Sequence, residues 1–327
     1  MKRGLVISIV TYKRPNKLLR CLNSILNQKT LPELILVIDN DNKKSAQKIC
    51  GQFNKILPLK YLVEPIRGTS VARNKAIENC SGDLIAFVDD DCILKKDWVE
   101  VAKKSMEKNK KASYIVGKSL LWNRNNIIAE AQYEKYLDWM NSQIDKKTYK
   151  LKSGVLDTKN VVIKINALKD NKVRFDLKYD VISVSGCEDV DLALQLNKLK
   201  LIGYFEPQMI VYHEEVNNFI GVIKKFYEKG KLQYLFYKKW GIFDKWVVYF
   251  DVRIYRNLVK YFPRFIKKLY WMMEDIMNLF LKKGKLSWKT KFKKIQIILI
   301  INFLNQAFSQ GYFSKKDELV NKQEGVC

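Results

Sequence analysis

Leu84-Ile85-Ala86-Phe87-Val88-Asp89-Asp90-Asp91 decides the reading of the fold. Five apolar residues in a row, entered through the turn residues Ser81-Gly82-Asp83, read as a strand buried on both faces. The run then stops on three acids. Like charges crowded at a strand end repel one another, and a cation relieves that repulsion; oxygen ligands suit Mg²⁺ or Mn²⁺. A metal there can bridge two phosphates and stabilise a leaving diphosphate. The plainer reading is an exposed acidic turn, and the position after a buried strand favours the metal.

Outward from this stretch the same pattern repeats. Leu5 to Val10 reads as a buried strand, and Pro15-Asn16 open a helix from Lys17 to Asn27. Leu34 to Ile38 is a second strand, ending at Asp39-Asn40-Asp41-Asn42, and Lys44 to Phe53 is a helix. Tyr61-Leu62-Val63 is a short strand and Ser70 to Asn79 a helix. Apolar strands alternating with amphipathic helices predict an α/β fold with a mostly parallel sheet, which takes its ligands beyond the carboxyl ends of the strands. Further on, Trp98 to Met106 reads as helix and Tyr114 to Leu121 as strand. A polar stretch follows, then a segment from Gly154 to Ile165, then a helix from Val190 to Leu199.

Each further candidate has a bland reading beside the chemical one. Asp39 can accept from a ribose hydroxyl or a base N–H, or it can simply shape a turn. In Arg67-Gly68-Thr69-Ser70-Val71-Ala72-Arg73-Asn74 the glycine allows close approach and Arg67 and Arg73 can reach phosphate; a capped helix with solvated arginines is the alternative. Glu188-Asp189 can supply a general base, or only complement a helix dipole. His213, the one histidine, can complete a metal site at Asp91 or be structural.

The order of these features resembles glycosyltransferase family 2, with its GT-A (nucleotide-diphospho-sugar transferase) fold. The motifs that carry the resemblance are Ile9-Val10-Thr11-Tyr12-Lys13-Arg14-Pro15, the strand ending in Asp39, Gly68 to Asn74, Asp89-Asp90-Asp91 as Asp-x-Asp, Thr158-Lys159-Asn160, Phe175-Asp176, Gly186-Cys187-Glu188-Asp189-Val190-Asp191-Leu192 and His213-Glu214. They span about the first two thirds of the chain. Cys187 interrupts the family's Gly-Glu-Asp, and Gln195 stands where the family often has Arg.

The resemblance implies an inverting, single-displacement sugar transfer from a nucleotide-diphosphate donor, with UDP favoured by family frequency. It implies Asp189 as base with Glu188 beside it, and Asp91, His213 and Asp89 as ligands of Mn²⁺ or Mg²⁺. Asp39, Asp89, Asp90, Thr11, Tyr12, Arg14, Arg67 and Arg73 are implied on the nucleotide, and Asn160 and Asp191 on the sugars. The implied division is a catalytic domain over residues 1–215, with a nucleotide-sugar half to about 117 and an acceptor half from about 118. A basic, aromatic helical extension follows over 216–327.

Composition supports an anionic partner. Lys and Arg total 60 against 34 Asp and Glu, a formal charge of +26. Six scattered cysteines without a Cys-x-x-Cys pair argue against zinc and suit a reducing cytosol. The apolar run Leu5 to Val10 is too short for a signal peptide, and no stretch reaches the roughly 18–20 apolar residues of a membrane span. The expectation is a cytoplasmic protein, peripheral at the inner face of the membrane. In the extension, Arg253, Arg256, Lys260, Arg264 and Lys267 recur at helical spacing beside Ile254, Leu258, Phe262, Phe265 and Leu269, with Pro263 dividing the helix. Lys289, Lys291, Lys293 and Lys294 precede Ile295 to Leu304. This pattern favours an anionic membrane surface, with a lipid-linked glycan as acceptor, over an extension that only packs on the domain. A nucleotidyltransferase would want a glycine-rich phosphate loop that Val10 to Arg14 lacks. Nucleic acid is disfavoured because acids cluster where it would approach.

Overall fold

The computed structural model describes residues 4–181, 186–242 and 286–324. The first apolar runs form β1 (Leu5–Thr11), β2 (Leu34–Asp39), β3 (Leu59–Val63) and β4 (Leu84–Asp89), separated by α1 (Pro15–Leu26), α2 (Gln47–Phe53) and α3 (Thr69–Asn79). These four strands are parallel, in the order β3-β2-β1-β4. Their register sets the site: Thr11 lies beside Asp39, and Val10 beside Asp89. The acid-tipped strand ends therefore come level along one edge of the sheet.

Beyond β4 the sheet continues through β7 (Val161–Lys164), β6 (Ala112–Leu121), β8 (Ile202–His213) and β5 (Cys92–Leu94). β7 runs antiparallel to β4 and to β6, while β6 and β8 are parallel. The pairing that matters most is the last. β5 follows the acid cluster directly and lies antiparallel on β8, with Cys92 opposite His213. A histidine far along the chain is thereby delivered beside Asp91.

Helices α4 (Trp98–Lys108), α5 (Ile127–Gln143), α6 (Ile165–Lys169) and α7 (Glu188–Lys198) accompany this half. The core lies on both faces of the sheet. One apolar cluster joins β1 and β4 to α1 and α4, and the other joins the opposite face to α3 and α7. α5 runs through the stretch that reads as polar in the sequence. Gly154 to Ile165 is strand only from Val161 to Lys164.

Two long helices close the molecule, α8 (Phe219–Trp240) and α9 (Leu286–Glu324). Val222, Phe226, Leu304 and Phe308 pack with Ile128 and Ala131 of α5 in a further apolar cluster. The helices touch backbone to backbone: a Cβ on Gly230 would lie 1.8 Å from the Phe308 carbonyl oxygen, and one on Gly311 1.7 Å from that of Tyr227. Only glycine permits that approach. Lys293 pairs with Glu130 at 2.7 Å. The described part of the extension thus packs on the rest of the protein. The Arg253 to Leu269 pattern and Pro263 lie outside the described residues, as do the side chains of Lys289, Lys291 and Lys294. No described helix is long and apolar enough to cross a membrane.

Candidate active site

The strand ends open into a cleft of about 1360 Å³. That exceeds the roughly 300–1,000 Å³ typical for one small ligand and leaves room for two.

On one side stand Asp89, Asp91 and His213, whose ligating atoms all lie within 4.8 Å of one another. His213 Nε2 is 3.3 Å from Asp91 Oδ1, and its Nδ1 is 3.2 Å from Glu215 Oε1. Burial lowers the His213 pKa, but Asp91 and Glu215 outweigh it and lift it to about 9. Burial raises Asp91, yet the charges of His213, Arg14 and Lys17 hold it well below the usual carboxylate range. Asp91 Oδ1 is buried with no hydrogen bond of normal geometry. Two carboxylates and an imidazole fit Mn²⁺ or Mg²⁺. Glu215 is the outer partner that fixes the ring, itself held by Lys225 at 2.7 Å. Glu215 lies just past the His213-Glu214 motif, and an acid two residues after the histidine on an extended chain is the signal for it.

Cations already crowd these acids. Arg14 reaches Asp90 at 2.7 Å and Asp91 at 3.0 Å, and Lys17 reaches Asp91 at 3.4 Å. Arg20 pairs with Glu214.

Asp90 points the other way. It is fully buried, accepts from the Thr11 hydroxyl at 2.7 Å, and burial lifts it to about 7 despite Arg14.

Across the cleft α7 begins at Cys187, whose φ of 67° is the left-handed conformation that glycine favours. This kink sends Glu188 inward and leaves Asp189 on the cleft wall. Glu188 is buried and pairs with Arg73 at 2.7 Å; Arg73, also buried, reaches back to Asp89 at 3.2 Å. Among the described residues Asp189 accepts only from the Val190 backbone N–H, at 2.8 Å. Burial, then the charges of Glu188 and Asp157, raise its pKa to about 7. A half-buried carboxylate with a free oxygen and a pKa near neutrality can accept a proton.

Tyr12 and Arg67 stack on the cleft wall, 4.9 Å from guanidinium to ring centroid. Asp180 closes the start of α3, accepting from the Ser70 and Val71 N–H groups at 2.8 and 2.9 Å.

Besides Asp90, four sequence candidates do not line the cleft. Asp39 is fully buried and spends both oxygens on the Asp41 and Ala46 N–H groups and the Tyr61 hydroxyl. Its neighbour Asn40 faces the cleft instead. Thr11 is committed to Asp90. Asn160 is buried, accepting from the Trp98 indole and donating to the Lys118 and Met209 carbonyls. Asp191 is buried and accepts from Gln195 and Trp240, each at 2.7 Å, and pairs with Lys239. Asn160 and Asp191 thus hold elements together in this structure, where the sequence placed them on sugar.

Parallel strands tipped by acids, with an antiparallel pair returning a histidine to them, define a nucleotide-diphospho-sugar transferase fold of the GT-A type. Solved structures show the same fold. Staphylococcus aureus TarS residues 1–349 in complex with UDP-GlcNAc aligns at TM-score 0.52 and 16% identity, over 71% of this chain and 66% of that one. The Pyrobaculum calidifontis mannosyltransferase PcManGT in complex with GDP-Man and Mn²⁺ aligns at 0.51 and 14%, over 69% and 62%. Residues 6–158 match the family model Glycosyl transferase family 2. The glycosyltransferase GlyA of Streptococcus pneumoniae serotype 4 is 30% identical over 142 residues, 41% of this chain. The match spans only 20% of GlyA's own length.

Proposed function

We propose that the chain is an inverting glycosyltransferase that moves a sugar from a nucleotide-diphosphate donor, UDP-linked by preference, to a hydroxyl of a glycan or lipid-linked glycan. One observation carries the reading. Asp189, uncommitted and poised near neutrality, shares a cleft with the Asp89, Asp91 and His213 group. The donor complexes of the two fold relatives support the nucleotide-sugar assignment.

In this reading Asp89, Asp91 and His213 hold Mn²⁺ or Mg²⁺, which supplies charge stabilisation for the departing diphosphate. Tyr12, Arg67 and Asn40 flank the nucleoside. Arg73 ties Asp89 to Glu188, so the donor side and the start of α7 keep a fixed separation. Asp189 takes the proton as the acceptor oxygen bonds to the anomeric carbon. The bond from that carbon to the phosphate oxygen breaks, and the nucleoside diphosphate leaves with the electron pair. No covalent intermediate is needed. The extension would seat this chemistry at the inner, anionic face of the cytoplasmic membrane.

A screen of nucleotide-sugars with and without Mn²⁺ tests the proposal. Metal-dependent turnover is expected, and Asp91→Ala is expected to abolish both turnover and Mn²⁺ binding in a folded protein. Asp189→Asn is expected to keep donor binding by calorimetry and to lose about 10²–10⁴-fold in transfer. Full activity in Asp91→Ala would overturn the metal assignment; near-normal turnover in Asp189→Asn would overturn the base.

A further inference from the structure

The cleft has a second wall. Beyond Asp189 it is built by α5, α8 and the loop before β7, and that wall carries Lys135, Lys159, Lys224, Lys225 and Lys229. The acids that answer them are few. Lys159 pairs with Asp157 at 2.8 Å. Lys225 pairs with Glu215, which is shared with His213. Lys135 donates to Asn305 at 2.7 Å.

Lys229 stands apart. It is half-buried on the cleft wall, its stem against Gly186, where a Cβ would lie 3.4 Å from the Lys229 Cγ. Among the described residues it makes no ion pair; the nearest ring is Phe226, 6.0 Å from ammonium to centroid. Lysines ordinarily snorkel to water rather than leave an ammonium half-buried and unanswered. Burial, then the charge of Lys225, push its pKa down, and the charges of Glu215 and Asp189 offset this only in part. Lys225 and Lys229 are four residues apart on α8, hence on one helix face. Lys224 is exposed beside them.

We infer that this wall binds a phosphate carried by the acceptor, with Lys229 as its principal contact and Lys224 and Lys225 in support. The inference rests on the transferase reading above and names the acceptor class that the same cleft takes. A phosphate fits because it brings the charge the wall lacks and offers several oxygens to neighbouring ammonium groups. The acceptor, not the donor, is its source. The Lys229 stem lies against Gly186, three residues before Asp189, the group placed on the acceptor hydroxyl. The donor's diphosphate is already provided for at Asp89, Asp91 and His213. A phosphate at Lys229 would fix an acceptor hydroxyl next to Asp189 and select phosphorylated acceptors over neutral glycans.

The test uses the full chain and a matched pair of probes, sn-glycerol 3-phosphate and glycerol, with UDP plus Mn²⁺ titrated separately. Wild type is expected to bind the phosphate and not glycerol. Lys229→Met is expected to weaken glycerol 3-phosphate at least about tenfold, Lys229→Arg to retain it, and both to bind UDP with Mn²⁺ as wild type does. No binding of glycerol 3-phosphate by wild type, or equal binding by wild type and Lys229→Met, overturns the inference. Parallel loss of UDP affinity in Lys229→Met also overturns it, by assigning the lysine to the donor. Failure of the transferase reading looks different, since wild type would then bind no nucleotide with Mn²⁺.

Discussion

Asp189 owes its character to what surrounds it rather than to the acid itself. A pKa raised to about 7 means that this carboxyl, the proposed base, is half protonated at neutrality. Turnover is therefore expected to fall about tenfold per pH unit below 7 and to level off above it. A pH–rate profile checks this, and a rate flat from pH 5 to 8 would reject Asp189. Stability carries the opposite sign. A carboxyl whose folded pKa exceeds its unfolded value contributes stability below the unfolded pKa and loses it as pH rises through 7. At pH 8 Asp189 is thus a burden on the fold, and Asp189→Asn is expected to melt no lower than wild type while losing transfer. Other acids taught a different lesson. Asp39 and Asp191 sit in motifs as suggestive as that of Asp189, yet both are satisfied by backbone or buried side chains. Sequence shows that an acid ends a strand or starts a helix. It does not show whether a tyrosine or tryptophan from elsewhere has already claimed its oxygens.

At the scale of elements, the crossing of α8 and α9 is the tightest joint in the molecule. Alanine at Gly311 would place a Cβ 1.7 Å from the Tyr227 carbonyl oxygen, an atom that cannot swing aside. Helix propensity alone predicts that Gly311→Ala stabilises by about 1 kcal/mol. Overpacking costs about 1–3 kcal/mol, so the net expectation is destabilisation, read as a lower urea midpoint. A raised midpoint would show that the helices do not approach this closely. The strands and helices of the first hundred residues were legible because each buries a continuous apolar face against its sequence neighbours. α5 was not. Its buried residues Ile128, Ala129, Ala131 and Met140 are spread among Glu, Lys and Asn, and part of that face meets α8 and α9, far along the chain. The segment Gly154 to Ile165 carries no clear period because only Val161–Lys164 is strand, and Asp157 and Asn160 are held in a loop by Lys159, Tyr136 and Trp98.

Taken whole, the molecule carries a charge of +26 that its acids do not answer. Binding of the full chain to acidic liposomes is expected to fall steeply with salt without vanishing, because an apolar contribution outlasts screening. Arg256, Lys260 and Lys267 changed together to Glu are expected to remove most of it. Equal sedimentation of this variant and wild type with acidic and neutral liposomes would reject the membrane reading. The described extension meanwhile packs on α5, and through Phe226, Phe308 and the α8 lysines it walls the cleft. A division at residue 215 therefore separates the sequence more cleanly than it separates the site.

His213 reaches Asp91 only through the pairing of β5 with β8, about 120 residues further along the chain. During synthesis the acid cluster emerges long before its imidazole. Arg14 and Lys17, already made, are the cations at hand to quiet it. A chain halted before β8 would hold those acids and no histidine. On the proposed metal assignment, a complete ligand set would then arrive late, as a certificate that the far edge of the sheet has closed in register.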